Sequence, residues 1–213
     1  NKKKLIKSSY HSIKNIKKFK KLLLNSVKKD LKKIISKRKT FLGIKFNNPQ
    51  IMGILNITPD SFSDGGLYFN KSKAFKQALH MIKSGAQIID VGGESTKPGS
   101  KTISKKKEWS RVKNFIIKFK KYFSNTPLSL DTRKAYVMEQ GIENNVDIIN
   151  DISGLNFDKK SFKVINSKKI PFILHHMQGI PKTMQKNPRY DDALLDVYDF
   201  FKEKINSLVK KKY

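Results

Sequence analysis

The segment IIDVGGESTKPG, at residues 88–99, carries the clearest fold signal in the chain. Its first four residues are apolar except for Asp90, which is typical of a short strand buried on both faces. A polar, glycine-rich loop begins directly afterwards at Gly92. The sequence therefore predicts a buried strand whose carboxyl end opens into a loop able to carry chemistry.

The same alternation of strand and helix extends along residues 41–213. The predicted strands are short β-prone runs at Gln50–Leu55, Ile88–Val91, Leu128–Leu130, Ile148–Ile149 and Pro171–Leu174. Helical patterns with one apolar face begin at Ser72 and continue at residues 109–119, 134–144, 161–167 and 191–212. In the last helix, the residues expected to face the core are Leu194, Leu195, Val197, Phe201 and Ile205. This order implies parallel strands joined by right-handed crossovers.

Polar residues close each of the five predicted strands. They are Asn56, Asp90 with the segment 92–94, Asp131, the pair Asn150–Asp151 and the pair His175–His176. A doubly wound sheet concentrates ligand groups at one switch point, whereas a barrel distributes them around a ring. Five consecutive polar strand ends therefore favour an α/β fold of the (β/α)8 TIM-barrel type.

The length of the chain limits how much of such a barrel it forms. Five units of about 33 residues fit after a leader, whereas eight units need roughly 260 residues. We therefore expect about the first five βα units, with open sheet edges, in residues 41–213. Residues 1–40 are expected to form a separate basic, helical leader.

The leader is expected to be amphipathic because apolar residues recur at helical spacing between lysines. These residues are Ile13, Ile16, Phe19, Leu23 and Val27. The pattern fits one helix, or two helices broken near Asn25–Ser26. Three interpretations stay open: a peripheral helix with solvated lysines, a segment that contacts an anionic or membrane surface, and a disordered segment.

The charge of the chain is strongly positive. It carries 46 Lys and Arg residues against 17 Asp and Glu residues, a net charge of +29, and more than half of that excess lies in residues 1–50. Only four of the basic residues are arginines, whereas nucleic-acid surfaces favour the arginine fork. The codon bias of an AT-rich genome explains this composition better, so a nucleic-acid partner is not expected.

Composition also excludes several classes of function. The absence of cysteine excludes disulfides, thiolate catalysis and Cys-based zinc sites. No apolar run approaches the ~20 residues of a membrane span, and the first residues lack the apolar region of a secretion signal. We expect a cytoplasmic protein without a membrane partner.

The loop NITPDSFSDGG, at residues 56–66, is too polar for a core and too long for a tight turn. Asp60, Ser61 and Ser63 are residue types that cap turns locally, but such capping does not explain the length of the loop. Asn56, at the end of the first strand, has an amide oxygen suited to a hard cation and an amide nitrogen suited to a phosphate. The loop is therefore a candidate cover over the strand ends.

The other strand ends offer complementary chemistry. In the segment 92–99, glycine N–H groups, the Thr96 hydroxyl and the Lys97 charge suit an anion, although a ligand-free flexible loop fits equally. Asp131 and the pair Asn150–Asp151 suit a planar nitrogen heterocycle, or else cap helices. The pair His175–His176 suits a metal, but a hydrogen-bonded structural role is the more common one for a histidine that closes a strand.

Five segments together resemble dihydropteroate synthase, a pterin-binding family. They are IMGILNITPDSFSDGG at 51–66, DVGGESTKPG at 90–99, LSLDT at 128–132, IINDISG at 148–154 and HHMQGIPKTMQ at 175–185. The resemblance runs from about Gln50 to at least Asp192. It implies a (β/α)8 barrel and a transferase of folate biosynthesis (EC 2.5.1.15), which joins p-aminobenzoate to (7,8-dihydropterin-6-yl)methyl diphosphate and releases pyrophosphate.

The resemblance also implies roles for individual residues. Asn56 would contact Mg²⁺ and the diphosphate, with Thr96 beside diphosphate and aminobenzoate. Asp131 and Asn150 would hold the pterin ring and, with Lys97, support catalysis. The two loops would close over the aminobenzoate, and their contributing residues are Asp60, Phe62 and Pro98.

This assignment agrees with the chemistry available. A diphosphate can leave a pterin methylene before the amine attacks, provided that the leaving charge is neutralised and the cation is stabilised. Such a dissociative substitution requires no nucleophilic side chain. The cofactor expected is Mg²⁺.

Two departures from the family pattern lead to further expectations. Lys97 stands where the family commonly has arginine, which removes the planar fork. The later strands of the family carry an aspartate, a lysine and an Arg-x-His site that nothing in these 213 residues matches. We therefore expect this chain alone to be incomplete for turnover, and the full-length form to be a homodimer.

Two other functions remain as alternatives. A pterin-binding methyl-transfer domain shares the barrel, although the loops at residues 56–66 and 92–99 are not expected there. A basic nucleic-acid-associated protein would bind RNA or DNA with a steep salt dependence that disappears when residues 1–38 are removed.

Overall fold

The computed structural model describes residues 21–37, 40–58, 69–95, 101–179, 183–184 and 187–211. The chain divides into two compact units, Asn1–Asn48 and Pro49–Tyr213. The sequence placed this boundary between residues 40 and 41, a few residues earlier. Among the described residues, no helix is both long enough and apolar enough to cross a bilayer.

The first unit contains one described helix, α1, at Lys21–Ile35. It continues without interruption through Asn25 and Ser26, so the break that was considered there is absent. Its carboxyl end is exposed, with Ile34 and Ile35 70% and 73% accessible to solvent. Residues 1–20 of the predicted leader, including Ile13, Ile16 and Phe19, lie outside the described residues.

The second unit is built on a parallel sheet of five strands in the order β1-β2-β3-β4-β5. The strands are β1 Met52–Asn56, β2 Ile88–Gly92, β3 Leu128–Asp131, β4 Ile148–Asp151 and β5 Phe172–Leu174. All four pairs of neighbours are parallel. This confirms the predicted α/β class, and each strand lies within two residues of its predicted position.

The middle of this sheet is the centre of the core. Strands β2, β3 and β4 are buried along nearly their whole length. The core cluster contains Ile89, Leu128, Leu130 and Ile149 of these strands, together with apolar residues of the crossover helices. Asp90, Ser129 and Asn150 are buried as well, so these strands are covered on both faces.

Five helices follow the strands: α2 Phe69–Lys83, α3 Lys105–Tyr122, α4 Ala135–Glu143, α5 Ser161–Lys168 and α6 Ala193–Lys210. Helix α2 begins three residues before the predicted Ser72. Gly85 follows it with a φ of +103°, a conformation that favours glycine and ends the helix. Helix α3 begins after Ser104, whose hydroxyl accepts a hydrogen bond from the N–H of Lys107.

The prediction for the last helix is partly wrong. Leu194 and Ile205 of α6 were expected to face the core, yet they are 68% and 51% exposed. The predicted residues that do pack are only half-buried: Leu195, Val197 and Phe201. Helix α6 follows the edge strand β5, and among the described residues no element covers the side on which Leu194 and Ile205 lie.

Close packing between α4 and β3 leads to a stability prediction. A Cβ at Gly141 would overlap Cδ2 of Leu130, which is fully buried. Alanine gains up to about 1 kcal/mol of helix propensity over glycine, but overpacking a core costs about 1–3 kcal/mol. We expect Gly141→Ala to lower the free energy of unfolding by about 1–2 kcal/mol in urea denaturation.

The control is Glu139→Ala, at an exposed position of the same helix. It should change the free energy of unfolding by less than about 0.5 kcal/mol. A Gly141→Ala chain more stable than the original would contradict this description of the contact between α4 and β3.

Candidate active site at the carboxyl edge of the sheet

The parallel register brings four strand ends into one row. Asn56 of β1 pairs with Gly92 of β2, Gly92 with Asp131 of β3, and Asp131 with Asn150 of β4. Residues paired in register on neighbouring strands point to the same face of a sheet. Three side chains that the sequence singled out, those of Asn56, Asp131 and Asn150, therefore lie side by side.

Gly92 keeps open the space between the first two of these side chains. A Cβ at this position would lie 3.2 Å from Oδ1 of Asn56 and 3.5 Å from Oδ2 of Asp131. The amide oxygen and the carboxylate thus border one space, which any side chain at residue 92 would partly fill. The arrangement leaves room for a ligand group between them.

Asp131 has a strongly shifted pKa. Burial raises the pKa of Asp131 to about 8, and the negative charges of nearby carboxylates act in the same direction. Those carboxylates belong to Asp90, Glu108, Asp151 and Glu94. The first N–H of α4 donates to Oδ2 of Asp158, so Asp131 is not the helix cap considered above. The raised pKa favours the protonated form of the Asp131 carboxyl group at neutral pH.

Asp151, in contrast, has a structural role, but it caps a turn and not the helix N-terminus that the sequence suggested. Its Oδ1 accepts hydrogen bonds from the N–H and the hydroxyl of Ser153, both at 2.7 Å, and its Oδ2 accepts one from the N–H of Leu155 at 3.0 Å. These bonds fix the turn after β4. Of the pair Asn150–Asp151, only Asn150 is thus placed in the row.

Asn150 connects two further side chains beneath the row. Its Nδ2 donates to Oδ2 of Asp90 at 2.9 Å, and its Oδ1 lies 2.6 Å from Nε2 of His175. Burial raises the pKa of Asp90, and the hydrogen bond from the Asn150 amide partly offsets that effect. His175 therefore has the hydrogen-bonded role that was favoured for it. Among the described residues, no three acidic or histidine side chains are grouped to hold a metal.

A buried ion cluster lies beside this row. The ammonium group of Lys134 contacts Oε1 of Glu94 at 2.9 Å and Oε2 of Glu108, and the Thr132 hydroxyl donates to Oε1 of Glu108. Burial acts to raise the pKa of Glu94, but the bonds and charge of Lys134 outweigh it, so that pKa lies below its ordinary value. Burial raises the pKa of Glu108 despite Lys134 and Thr132. Lys134 thus contacts two buried carboxylates, of which Glu94 is also paired with Arg133.

The ion cluster also fixes both flanks of the loop after β2. Glu94 accepts a hydrogen bond from the N–H of Ile103 at 2.8 Å, and its other oxygen accepts one from Nε of Arg133 at 3.1 Å. The same guanidinium donates to the Thr102 hydroxyl and lies 4.1 Å from the centre of the Phe157 ring. The cluster could not be predicted from the sequence because its members are far apart in the chain. The one local signal was the position of Glu94 directly after Gly92 and Gly93.

Five of the candidate site residues cannot be placed relative to this row. Asp60 and Phe62 of the first loop, and Thr96, Lys97 and Pro98 of the second, lie outside the described residues. Their roles stay predictions.

A cleft of about 240 Å³ opens between α6 and the loops that follow β3, β4 and β5. Its lining is partly aromatic and partly polar, and includes Arg133, Ser153, Phe157, His175, Met177 and Phe200. His175, which contacts Asn150, and Arg133, which contacts Glu94 of the ion cluster, thus line the same cleft.

Comparison with known proteins identifies the family. The sequence profile described as "Pterin binding enzyme" matches residues 52–212, which is most of the chain. Dihydropteroate synthase of Neisseria meningitidis serogroup B is 42% identical over 161 residues, which cover 75% of this chain and 56% of that protein. The chain therefore spans little more than half the length of this relative.

Solved structures show the same similarity. The Yersinia pestis dihydropteroate synthase in a sulfonamide drug complex superimposes with a TM-score of 0.72 at 40% identity, over 78% of this chain and 60% of that one. The Xanthomonas albilineans dihydropteroate synthase with 4-aminobenzoic acid gives a TM-score of 0.70 at 33% identity, over 78% and 58%. The five-stranded sheet is thus similar to part of these longer folds.

The pKa of Asp131 predicts how stability depends on pH. This pKa is about 8 in the folded chain against an ordinary value of 3.8. Between these values the folded chain holds a proton that the unfolded chain has released, so the free energy of unfolding falls as pH rises. Asp131→Asn removes this group. Its Tm should therefore exceed that of the unchanged chain by a margin that widens from pH 4 to pH 8.

Glu139→Gln is the matched control, because it neutralises an exposed carboxylate in the same unit. Its Tm should follow that of the unchanged chain at every pH. A constant Tm difference for Asp131→Asn across this range would show that the carboxyl group of Asp131 titrates normally.

The ion cluster predicts a second effect. Lys134→Met leaves Glu108 buried without its cation and leaves Glu94 paired with Arg133 alone, which costs about 3–5 kcal/mol at neutral pH. For a chain of this size the Tm should fall by about 10 °C. Because the two carboxylates can take up protons instead, the loss should shrink towards pH 5, as measured by calorimetry.

Lys113→Met, at an exposed site on α3, is the control and should be nearly neutral. Adding Glu108→Gln to Lys134→Met should restore part of the stability, because one uncompensated charge is removed. A double variant no more stable than Lys134→Met would contradict the shared-cation description.

Proposed function

The chain belongs to the family of pterin binding enzymes, and we propose that it forms the pterin- and diphosphate-binding part of a dihydropteroate synthase. The reaction joins the amine of p-aminobenzoate to the methylene carbon of (7,8-dihydropterin-6-yl)methyl diphosphate and releases diphosphate. The observation that carries this proposal is the in-register row of Asn56, Gly92, Asp131 and Asn150. Solved relatives are described with 4-aminobenzoic acid and with 7,8-dihydropteroate.

The pterin is proposed to bind along Asp131 and Asn150. One edge of a pterin presents N–H donors, which suit a carboxylate because a carboxylate only accepts hydrogen bonds. The same edge combines donors with acceptors, which suit an amide because an amide both donates and accepts. The Asp131 carboxyl group is protonated when free, because its pKa is about 8. Ligand N–H donors would favour its ionised form, so pterin binding should release the proton from this group.

The diphosphate is proposed to lie near Asn56, with Thr96 and Lys97 of the following loop. Mg²⁺ is commonly held by one or two protein oxygens together with water and substrate phosphates. The Asn56 amide oxygen borders the open space over Gly92, so it suits a Mg²⁺ ion held largely by the substrate. When bound, Mg²⁺ would neutralise charge on the departing diphosphate.

In the proposed reaction, the bond from the pterin methylene to the diphosphate oxygen breaks, and its electron pair leaves with the diphosphate. The amine nitrogen then forms the new bond to carbon and loses a proton to solvent. The ionised Asp131 would stabilise positive charge spread over the pterin ring, and Asn150 would hold the ring in place. Asp60, Phe62 and Pro98 are proposed to exclude water around the aminobenzoate.

Because the chain spans 56–60% of its relatives, the activity, the homodimer and the cytoplasmic location of a whole synthase are parts of this proposal. Ligand binding tests it most directly, since the proposed pterin contacts of Asp131 and Asn150 are both present in this chain. The probe is 7,8-dihydropteroate, titrated calorimetrically into the full chain.

We expect the unchanged chain to bind this probe and Asp131→Asn to bind it at least about 10-fold more weakly, from the loss of charged hydrogen bonds. Titrations near pH 7, repeated in buffers of different ionisation enthalpy, should show release of about one proton per ligand. Asp131→Asn should release none. Glu139→Gln, which neutralises an exposed carboxylate, should match the unchanged chain.

Absence of binding by the unchanged chain would overturn the proposal. Equal affinity of Asp131→Asn and the unchanged chain would remove Asp131 from the pterin site. RNA binding that survives Asp131→Asn would favour the nucleic-acid alternative instead.

A further inference from the structure

His175 has no role in the proposed reaction, yet it contacts the residue proposed to hold the pterin ring. We propose that His175 is a positioning residue that fixes the orientation of the Asn150 amide. That orientation determines which edge of the pterin the amide can bind. The proposal rests on the proposed function for its ligand. Its geometric part concerns this chain alone.

The direction of the hydrogen bonds follows from the groups that Asn150 meets. Asp90 is 2% exposed, and its Oδ2 lies 2.9 Å from Nδ2 of Asn150. The amide nitrogen thus faces Asp90, which accepts its hydrogen bond, and the amide oxygen faces the imidazole. Nε2 of His175, at 2.6 Å from that oxygen, is therefore the donor and carries a proton.

The reverse orientation of the amide is disfavoured at both ends. Turning it over would set the amide N–H against the imidazole N–H and the amide oxygen against the Asp90 carboxylate. Two donors would then meet at one end and two acceptors at the other, inside a mostly buried site. With His175 present, the amide has one N–H and one lone pair left, in fixed directions, for a ligand.

The fold holds the imidazole at this place. His175 directly follows β5, whose Ile173 is paired in register with Asn150. The next side chain takes another direction, since the ring of His176 packs edge-on against Phe200 with 4.7 Å between ring centres. His175 also lines the cleft among the loops, together with Ser153 and Met177.

This arrangement makes a specific prediction for two substitutions. His175→Leu removes the donor, leaves the Asn150 oxygen without its partner and allows the amide to turn over. His175→Gln supplies a side-chain N–H at a similar reach from the backbone. We expect His175→Leu to weaken binding of 7,8-dihydropteroate by about 10- to 100-fold, and His175→Gln to recover most of that loss.

The matched controls are His80→Leu and His80→Gln, at an exposed position on α2. Both should leave binding unchanged. A double-mutant cycle separates positioning from a general structural effect, because His175→Leu should have almost no further effect on binding in an Asn150→Ala chain. Additive losses, or a His175→Gln chain as weak as His175→Leu, would overturn the proposal.

A second measurement needs no ligand. In nitrogen-15 NMR spectra of the free chain, Nε2 of His175 should resonate as a protonated ring nitrogen whose proton exchanges slowly, and Asn150→Ala should remove that protection. An unprotonated Nε2 would overturn the proposed donor. If the protected proton is present but the chain binds no 7,8-dihydropteroate, the proposed function fails while the orientation of the amide stands.

Discussion

The backbone register of the parallel strands is the constraint on which the candidate site depends. Four strands end at the same level, so Asn56, Gly92, Asp131 and Asn150 meet without any direct contact being needed to bring them together. A shift of one residue in any strand would turn its polar end to the opposite face of the sheet. The buried apolar strands β2, β3 and β4 therefore stabilise the site as well as the fold.

This register crowds negative charge into a chain whose net charge is +29. The buried carboxylates have different partners: Lys134 contacts Glu94 and Glu108, Arg133 also contacts Glu94, and Asp90 accepts a hydrogen bond from the Asn150 amide. Asp131 has none of these partners, and its pKa rises to about 8. Burial and the neighbouring carboxylates thus favour the neutral form of Asp131 at neutral pH.

The strand order and the row of polar strand ends could be predicted from the sequence because both are local. Apolar runs define the strands, and the residue after each run lies at the carboxyl edge by geometry alone. The outward position of Leu194 and Ile205 could not be predicted, because an apolar helix face shows that burial is favourable but not what covers it. The bonds from Lys134 to Glu94 and from His175 to Asn150 depend on tertiary distances, which no spacing in the sequence encodes.

The contacts of Lys134 with Glu94 and of His175 with Asn150 explain how a short sheet can orient the side chains at its edge. Side chains on strand ends have free rotation on their open side, so register alone gives a row but not fixed directions of hydrogen bonding. Asp90 and His175 fix the amide of Asn150 from below and from the side. Lys134, through Glu94, fixes the backbone at Ile103, after the loop that begins at Gly92. Register therefore determines which side chains lie in the row, and buried polar contacts with the neighbouring loops determine how those side chains are oriented.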